Sequence, residues 1–152
     1  MEIAELLAQE NAFVFPRFDD AMAWDLGSSL ALMALIDRLA VVINIRTPNR
    51  VLFHAALPGS TPSHETSARR KSATALHMHE ASLLTGTKNR ARGIRMDHYG
   101  LDPIHHADAG GAVPLRVAGV GVVAVVTVSG LTQAEDHAMV CRALAEFLAR
   151  PE

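Results

Sequence analysis

Residues 110–140, GGAVPLRVAGVGVVAVVTVSGLTQAEDHAMV, carry the clearest secondary-structure signals in the chain. Within this segment, residues 120–128 are apolar at both alternating sets of positions, which is typical of a central strand buried on each side. Pro114 lacks a backbone N–H donor, so the preceding strand, residues 112–117, is predicted to lie at an edge or a bulge of the sheet. The segment therefore predicts two adjacent strands.

A C-terminal helix follows these strands. Thr132 and Glu135 fit a capping box, in which a hydroxyl and a carboxylate satisfy backbone donors at a helix start. Pro151 then ends the helical pattern. The apolar stripe that predicts one buried helix face consists of Val140, Ala143, Leu144, Phe147 and Leu148.

Upstream, the pattern predicts a helix followed by a β-hairpin. Asp19 and Asp20 are suitable helix caps, and residues 24–39 are apolar over a wide arc. Residues 41–46 and 51–57 then alternate as half-buried strands do, with a Pro-Asn turn between them.

The middle of the chain is less regular. Thr61 and Pro62 are a helix-start signal, and they open a helix-compatible run to about residue 84. Residues 85–111 have no sustained period, so they are predicted to form a long irregular connection. The whole order predicts one domain, residues 1–152, in which an antiparallel sheet is covered by helices on both faces as an α/β/α sandwich.

Composition excludes several classes of function. The chain has 152 residues, of which 49% are hydrophobic and 20% charged, and its net charge is -2. This charge does not favour nucleic acid as a partner. The single cysteine, Cys141, excludes an intramolecular disulfide. With no secretion signal and no apolar run long enough to span a bilayer, the sequence predicts a cytoplasmic protein without a membrane anchor.

Histidines offer one candidate metal site. The chain contains eight of them, and His98, His105 and His106 lie close in sequence to Asp108 within the irregular segment. Imidazole is a common metal ligand, so a site held by these three histidines is a hypothesis. No HExxH motif or cysteine–histidine pattern supports it.

A catalytic triad is a weaker hypothesis. Ser129, Asp136 and His137 are the residue types that such a triad needs, but the G-x-S-x-G motif is absent. An aspartate next to a histidine on one helix is badly placed to orient that imidazole. The simpler interpretation is that Ser129 and Asp136 satisfy backbone donors near the helix start, where Gly130 permits the turn.

The same helix start predicts an anion site. Its free N–H groups and positive dipole end face a glycine pair, Gly110 and Gly111, and could hold a carboxylate or phosphate. Positive charge in the irregular segment, which adds to this tendency, comes from Lys88, Arg90, Arg92 and Arg95.

Several motifs resemble those of the GlcG/HbpS family of haem-degrading domain proteins. They are GG-x-x-P at residues 110–114, SGL-x-x-x-EDH at residues 129–137, RVLFHAALPGSTP at residues 50–62, and the Arg70-Lys71 pair. The sequence is similar to a cytoplasmic branch with no settled activity more than to the secreted haem-binding members.

The resemblance implies a profilin-like fold with a five-stranded antiparallel sheet and a homo-oligomeric assembly. It also implies haem as a candidate cofactor, because some relatives bind and degrade it. The leading hypothesis is a small-ligand site for a tetrapyrrole or an organic anion. Its predicted residues are Arg70, Lys71, Gly110, Gly111, Pro114, Ser129, Gly130, Asp136 and His137. An enzyme that degrades haem or uses a metal, and a protein-interaction module, remain alternatives.

Overall fold

The computed structural model describes residues 1–151. The predicted strands are present, and two elements that were not predicted, α1 and β1, precede the first predicted helix. In chain order the elements are α1 (Ile3–Asn11), β1 (Val14–Phe15), α2 (Asp20–Ile36), β2 (Val42–Arg46), β3 (Val51–Ala56), α3 (Pro62–Met78), α4 (Ser82–Arg92), a 3₁₀ turn (Met96–Tyr99), β4 (Ala112–Val117), β5 (Gly121–Ser129) and α5 (Gln133–Leu148).

The five strands form one sheet in the order β1-β4-β5-β2-β3. The pairs among β4, β5, β2 and β3 are antiparallel, whereas β1 runs parallel to β4. The sheet is therefore mixed, and the prediction of a purely antiparallel sheet was wrong in this detail. A strand of two residues has no measurable period, which is why the sequence pattern did not reveal β1.

Pro114 occupies the position that its chemistry requires. It lies in β4 opposite Val125 of β5, while β1 pairs only with Arg116 and Val117. The part of β4 that contains Pro114 is thus not covered by β1, and the register shifts between Leu115 and Arg116. The predicted edge or bulged position is confirmed.

Helices cover the two faces of the sheet unequally. On one face α2 and α5 pack against the sheet in a large apolar core that includes Leu26, Leu30, Val126, Val128 and Leu144. On the other face α3 packs through a small apolar cluster of buried residues, which consists of Ala75, Ala112 and Val125. Beside that cluster the hydroxyls of Ser72 and Thr127 form a buried hydrogen bond of 2.7 Å.

The long helix predicted for residues 61–84 is in fact two helices. His79 has a left-handed φ of 55°, which ends α3, and α4 begins at Ser82. α4 continues to Arg92, so residues 85–92 are helical and the prediction that they are irregular was wrong. Its buried side includes Thr85, Gly86 and Asn89. Apart from Leu83 and Leu84 in its first turn, the buried residues of α4 are not apolar, so no sustained hydrophobic stripe marks the helix.

The start of α5 confirms the predicted N-cap and corrects one of its bonds. Thr132 Oγ1 accepts a hydrogen bond from the Glu135 backbone N–H at 3.2 Å. The Glu135 carboxylate accepts from the Thr132 hydroxyl at 2.7 Å. The acidic side chain thus bonds to the capping hydroxyl, whereas a capping box would place it on the cap's backbone N–H.

α2 approaches β3 very closely at Gly27. A Cβ atom at this position would lie 2.3 Å from Cγ of Phe53, which no real contact allows. Trp24, on the same helix, packs edge-on against the Phe53 ring at a centroid distance of 5.3 Å. The absence of a side chain at Gly27 therefore sets the distance between helix and strand. Among residues 1–151, no helix has the length and apolar character needed to cross a membrane.

Candidate functional site

A buried ion pair joins α3 to α5. Lys71 Nζ lies 2.9 Å from Asp136 Oδ2, and the two side chains are 3% and 2% exposed. Lys71 Nζ also donates to the carbonyl oxygens of Gly110, at 3.0 Å, and Val128, at 3.1 Å. An ammonium group has three donors, so all of them are used. Burial lowers the pKa of Lys71, and the charge of Asp136 partly opposes this shift.

Asp136 also fixes the turn between β5 and α5. Its carboxylate accepts from the backbone N–H groups of Gly130, at 3.3 Å, and Leu131, at 2.9 Å. The prediction that Asp136 satisfies backbone donors at this helix start is confirmed. The carboxylate therefore connects three parts of the chain: the turn, α5 and, through Lys71, helix α3.

Gly111 allows these groups to approach one another. Its φ is 140°, in a region that L side chains rarely adopt. A Cβ atom at Gly111 would lie 2.4 Å from the Val128 carbonyl oxygen and 2.6 Å from Lys71 Nζ. The lysine can reach its partners only because this position has no side chain.

A cavity of about 240 Å³ opens above the ion pair, between the first turns of α3 and α5. We call it the junction pocket. It is lined by Ser63, His64, Ser67, Lys71, Ala109, Ser129, Gly130, Leu131, Gln133 and Asp136. Four of the nine residues predicted to bind a ligand, Lys71, Ser129, Gly130 and Asp136, thus line one cavity. Gly110 and Gly111 adjoin it through their contacts with Lys71.

Hydrogen-bond donors predominate among the side chains of the junction pocket. His64 Nδ1 accepts from the Thr61 backbone N–H at 3.1 Å, so a neutral His64 carries its proton on Nε2. Gln133 Oε1 accepts from the Gly110 N–H at 3.1 Å, which leaves the Gln133 amide NH₂ as its remaining polar group. The hydroxyls of Ser63 and Ser67 complete the wall. Such a lining suits a ligand rich in acceptor oxygens.

Sequence reasoning singled out Lys71 but missed Ser63, His64 and Ser67 on the α3 side of this pocket. Ser63, Ser67 and Lys71 are spaced by four residues, and residues spaced in this way share one face of a helix. That spacing was a usable signal once Lys71 had been singled out. Nothing in the sequence pattern indicated which other element this face would meet.

Three of the predicted ligand residues, Arg70, Pro114 and His137, lie away from the junction pocket. Pro114 is buried within β4. His137 Nε2 lies 2.7 Å from Gln9 Oε1 of α1 and 3.3 Å from Cys141 Sγ. Burial lowers the pKa of His137 to about 4 and raises that of Cys141 to about 12, so both are neutral at physiological pH.

The predicted metal site is not assembled. His98 and His105 are exposed, and the His98 ring packs against Tyr99. His106 packs edge-on against His77 at a centroid distance of 6.3 Å, and its Nδ1 lies 3.1 Å from the Asp102 carbonyl oxygen. Within residues 1–151 no group of three or more His, Cys, Asp or Glu side chains could hold a metal ion. Neighbouring positions in a loop did not bring the three imidazoles together.

Arg70 faces a second cavity beside the junction pocket. Its Nη2 donates to the Pro103 carbonyl oxygen at 2.7 Å. This cavity has a volume of about 280 Å³ and shares Ala109 with the junction pocket. The adjacent residues Arg70 and Lys71 therefore serve two different cavities.

Comparison with protein families and curated proteins gives one consistent result. The model of a family described as "Haem degrading protein HbpS-like" matches residues 18–145. A UPF0303 protein of Streptomyces coelicolor is 45% identical over 147 residues, covering 96% of this chain and 93% of the relative. A UPF0303 protein of Burkholderia thailandensis is 43% identical over 145 residues, covering 95% of this chain and 88% of the relative.

Solved structures show the same fold. The Ybr137w protein superposes with a TM-score of 0.87 at 28% identity, covering 97% of this chain and 87% of that one. HbpS superposes with a TM-score of 0.71 at 19% identity, covering 88% of this chain and 92% of that one. A PduOC complex with haem superposes with a TM-score of 0.70 at 17% identity, covering 84% and 93% respectively.

Proposed function

This chain belongs to the HbpS-like family, and on that premise we propose that it binds a small organic anion in the junction pocket. The observation that carries the proposal is the convergence of side-chain donors from Ser63, His64, Ser67 and Gln133 on one cavity. The pocket also lies at the N-terminus of α5, whose backbone dipole favours negative charge.

The buried ion pair beneath the pocket supports this assignment. Lys71 and Asp136 neutralise each other, so the floor does not repel an anion and the lysine has no free donor to offer. Recognition of an anion therefore depends on the hydrogen-bond donors in the wall of the pocket. A volume of about 240 Å³ is below the roughly 300–1,000 Å³ typical of pockets for drug-sized ligands. The ligand is accordingly a carboxylate with few carbon atoms.

A haem fits the junction pocket poorly. Haem iron is held by an axial side chain such as an imidazole, a thiolate or a thioether. His64, the imidazole of this pocket, carries its proton on Nε2 when Nδ1 accepts from Thr61, so the nitrogen that would bind iron is blocked. A larger cavity, of about 340 Å³, includes Met22, but its sulfur accepts from Arg17 Nη1 at 3.5 Å.

The test is a calorimetric titration of the purified protein with acetate, glycolate and oxalate at constant ionic strength. We expect saturable binding of at least one of them, weakened about tenfold or more in His64→Ala and Ser67→Ala, since a hydrogen bond to a charged group contributes roughly 1.5–3 kcal/mol. His77→Ala, an exposed histidine on the same helix, is the matched control and should bind as the parent does.

Haemin serves as the competing probe in the same experiment. A saturable shift of the Soret band that is lost in His64→Ala and reversed by the carboxylate would assign the pocket to a tetrapyrrole. The absence of any saturable carboxylate binding would remove the anion proposal. Circular dichroism of each variant identifies changes that arise from misfolding.

We also propose that the protein assembles as a homo-oligomer through the outer surface of α2. This surface exposes four large apolar side chains, of which Trp24 is 63% and Ile36 70% exposed, together with Leu32 and Leu35. Exposed apolar clusters on a helix are typical of interfaces between proteins. Light scattering should give a multiple of the chain mass, and Ile36→Glu should reduce it; a monomeric mass for the parent protein would contradict the proposal.

A further inference from the structure

The second cavity has the features of an anion site of its own. We call it the arginine cleft; it lies between α3 and the loop after α4, and its charged side chains are Arg70, Arg95 and Asp108, with His106 beside them. It shares only Ala109 with the junction pocket. The two cavities thus have separate walls.

Arg70 is held in place, and its Nε–H is a buried donor without a partner among residues 1–151. Its Nη2 donates to the Pro103 carbonyl oxygen at 2.7 Å, and its own carbonyl oxygen accepts from the Ala107 N–H at 3.1 Å. These two hydrogen bonds hold the loop that contains Pro103 and Ala107 against Arg70. Nε of Arg70 is buried and has no hydrogen-bond partner among residues 1–151. A buried donor without an acceptor is costly, and the arginine that carries it lines the cleft.

The charges of the cleft favour an acceptor that is negatively charged. Arg70 and Arg95 contribute two positive charges, and Asp108 contributes one negative charge. The Asp108 carboxylate is already engaged, because its Oδ2 accepts from Asn89 Nδ2 at 3.0 Å. The cleft therefore keeps a net positive charge, with a guanidinium group on each of two segments.

We propose that the arginine cleft binds the phosphate group of a small metabolite. A guanidinium presents its donors in a planar fork that matches the oxygens of phosphate and carboxylate. A phosphate has more charge and more oxygens than a carboxylate, so it gains more from two arginines at once. This site does not depend on what the junction pocket binds.

Inorganic phosphate is the probe, titrated into the full chain by calorimetry at constant ionic strength. We expect saturable binding whose Kd rises about tenfold in Arg70→Gln, the effect of losing one charge-assisted contact worth about 1.4 kcal/mol. Arg69→Gln is the matched control, because Arg69 is the exposed neighbour on α3 and lines a different cavity, near Asn44 and His54. It should leave the Kd unchanged.

A second variant keeps the test decisive if Arg70→Gln disturbs the fold. Arg95 is exposed, so Arg95→Gln should fold normally and still weaken phosphate binding several-fold. His64→Ala, in the junction pocket, should bind phosphate as the parent does. The proposal is overturned if phosphate does not saturate, if Arg69→Gln weakens binding as much as Arg70→Gln, or if Arg95→Gln has no effect. Acetate binding equal to that of phosphate and equally dependent on Arg70 would overturn the choice of phosphate.

Discussion

The two faces of the sheet are built from different chemistry. On the face covered by α2 and α5, alternate residues of β5, Val126 and Val128, enter a large apolar core. On the face covered by α3, the residues between them include Thr127, which bonds to Ser72. Next to Thr127 across the sheet lies Asn44, whose amide nitrogen is 3.0 Å from His54 Nδ1.

This difference between the faces determines where the fold can accommodate a site. The apolar face provides most of the hydrophobic stabilisation, which is roughly proportional to the buried apolar area. The α3 face contains buried polar side chains, and some of their atoms, such as Asn44 Oδ1 and Arg70 Nε, have no hydrogen-bond partner within residues 1–151. Both candidate cavities lie on this polar side, where α3 supplies part of each wall.

The largest effect should come from breaking the ion pair of the polar face. Asp136→Asn leaves the Lys71 charge buried without a counter-charge, and removing one partner of a buried pair typically costs about 3–5 kcal/mol. Urea denaturation measures the free energy of unfolding. Glu135→Gln, at the exposed neighbouring position, is the control, and a loss below about 1 kcal/mol for Asp136→Asn would show that this ion pair is not a major support of the fold.

The apolar face should be destabilised by a substitution that leaves a cavity in its core. Leu30 is fully buried in α2, and Leu30→Ala should lower the free energy of unfolding by about 3 kcal/mol through lost burial and an unfilled space. Val120→Ala, at a position outside α2 that is 72% exposed, should change it by less than about 0.5 kcal/mol. Similar losses at the two positions would mean that burial in the apolar core does not decide the loss.

His137 is a polar residue on α5, within the apolar layer, and it should make stability depend on pH. Its pKa is about 4 in the folded protein and near 6.5 when unfolded. The unfolded chain therefore binds the extra proton between these values, so stability is complete above pH 6.5 and falls as the pH is lowered towards 4. Between pH 7 and pH 5 the loss should be about 2 kcal/mol.

The control for this prediction is His137→Gln, measured by urea denaturation at the same two pH values. Burial raises the pKa of Glu10, which acts in the opposite direction at low pH. Because Glu10 is present in both proteins, the difference between parent and variant isolates His137. An identical pH dependence in both would contradict the assignment.

The smallest effect should come from the hydrogen bond of the polar face. Thr127→Val leaves the buried Ser72 hydroxyl without its partner and should cost about 1 kcal/mol. Ser72→Ala combined with Thr127→Val should recover part of that loss in thermal or urea denaturation, because neither hydroxyl then remains unpaired. A double variant whose loss equals the sum of the two single losses would show that the two hydroxyls act independently.

Those parts of the fold that depend on local patterning could be predicted from the sequence. Residues 120–128 and the stripe of α5 were correctly placed because the apolar pattern of each continues over many residues. β1 and α4 could not be found, since one has only two residues and the other buries polar positions. Neither length nor apolar period was available to detect them.

The candidate site was only partly predictable, for a different reason. Lys71, Gly111 and Asp136 were each singled out, but the contact between Lys71 and Asp136 joins residues 65 positions apart. Such a contact depends on how α3 crosses the sheet, which no local pattern records. The same applies to His137: its neighbour Asp136 lies at the pocket, whereas the His137 ring turns towards α1.

The close fit of Gly27 against Phe53 has a consequence for how this sequence can evolve. Adding even one carbon at position 27 collides with the ring, so a larger residue there is tolerated only if position 53 becomes smaller or the helix moves away. Substitutions at positions 27 and 53 are therefore linked, and related chains are expected to change both residues or neither. Leu32, on the same helix but facing outwards, does not have this constraint.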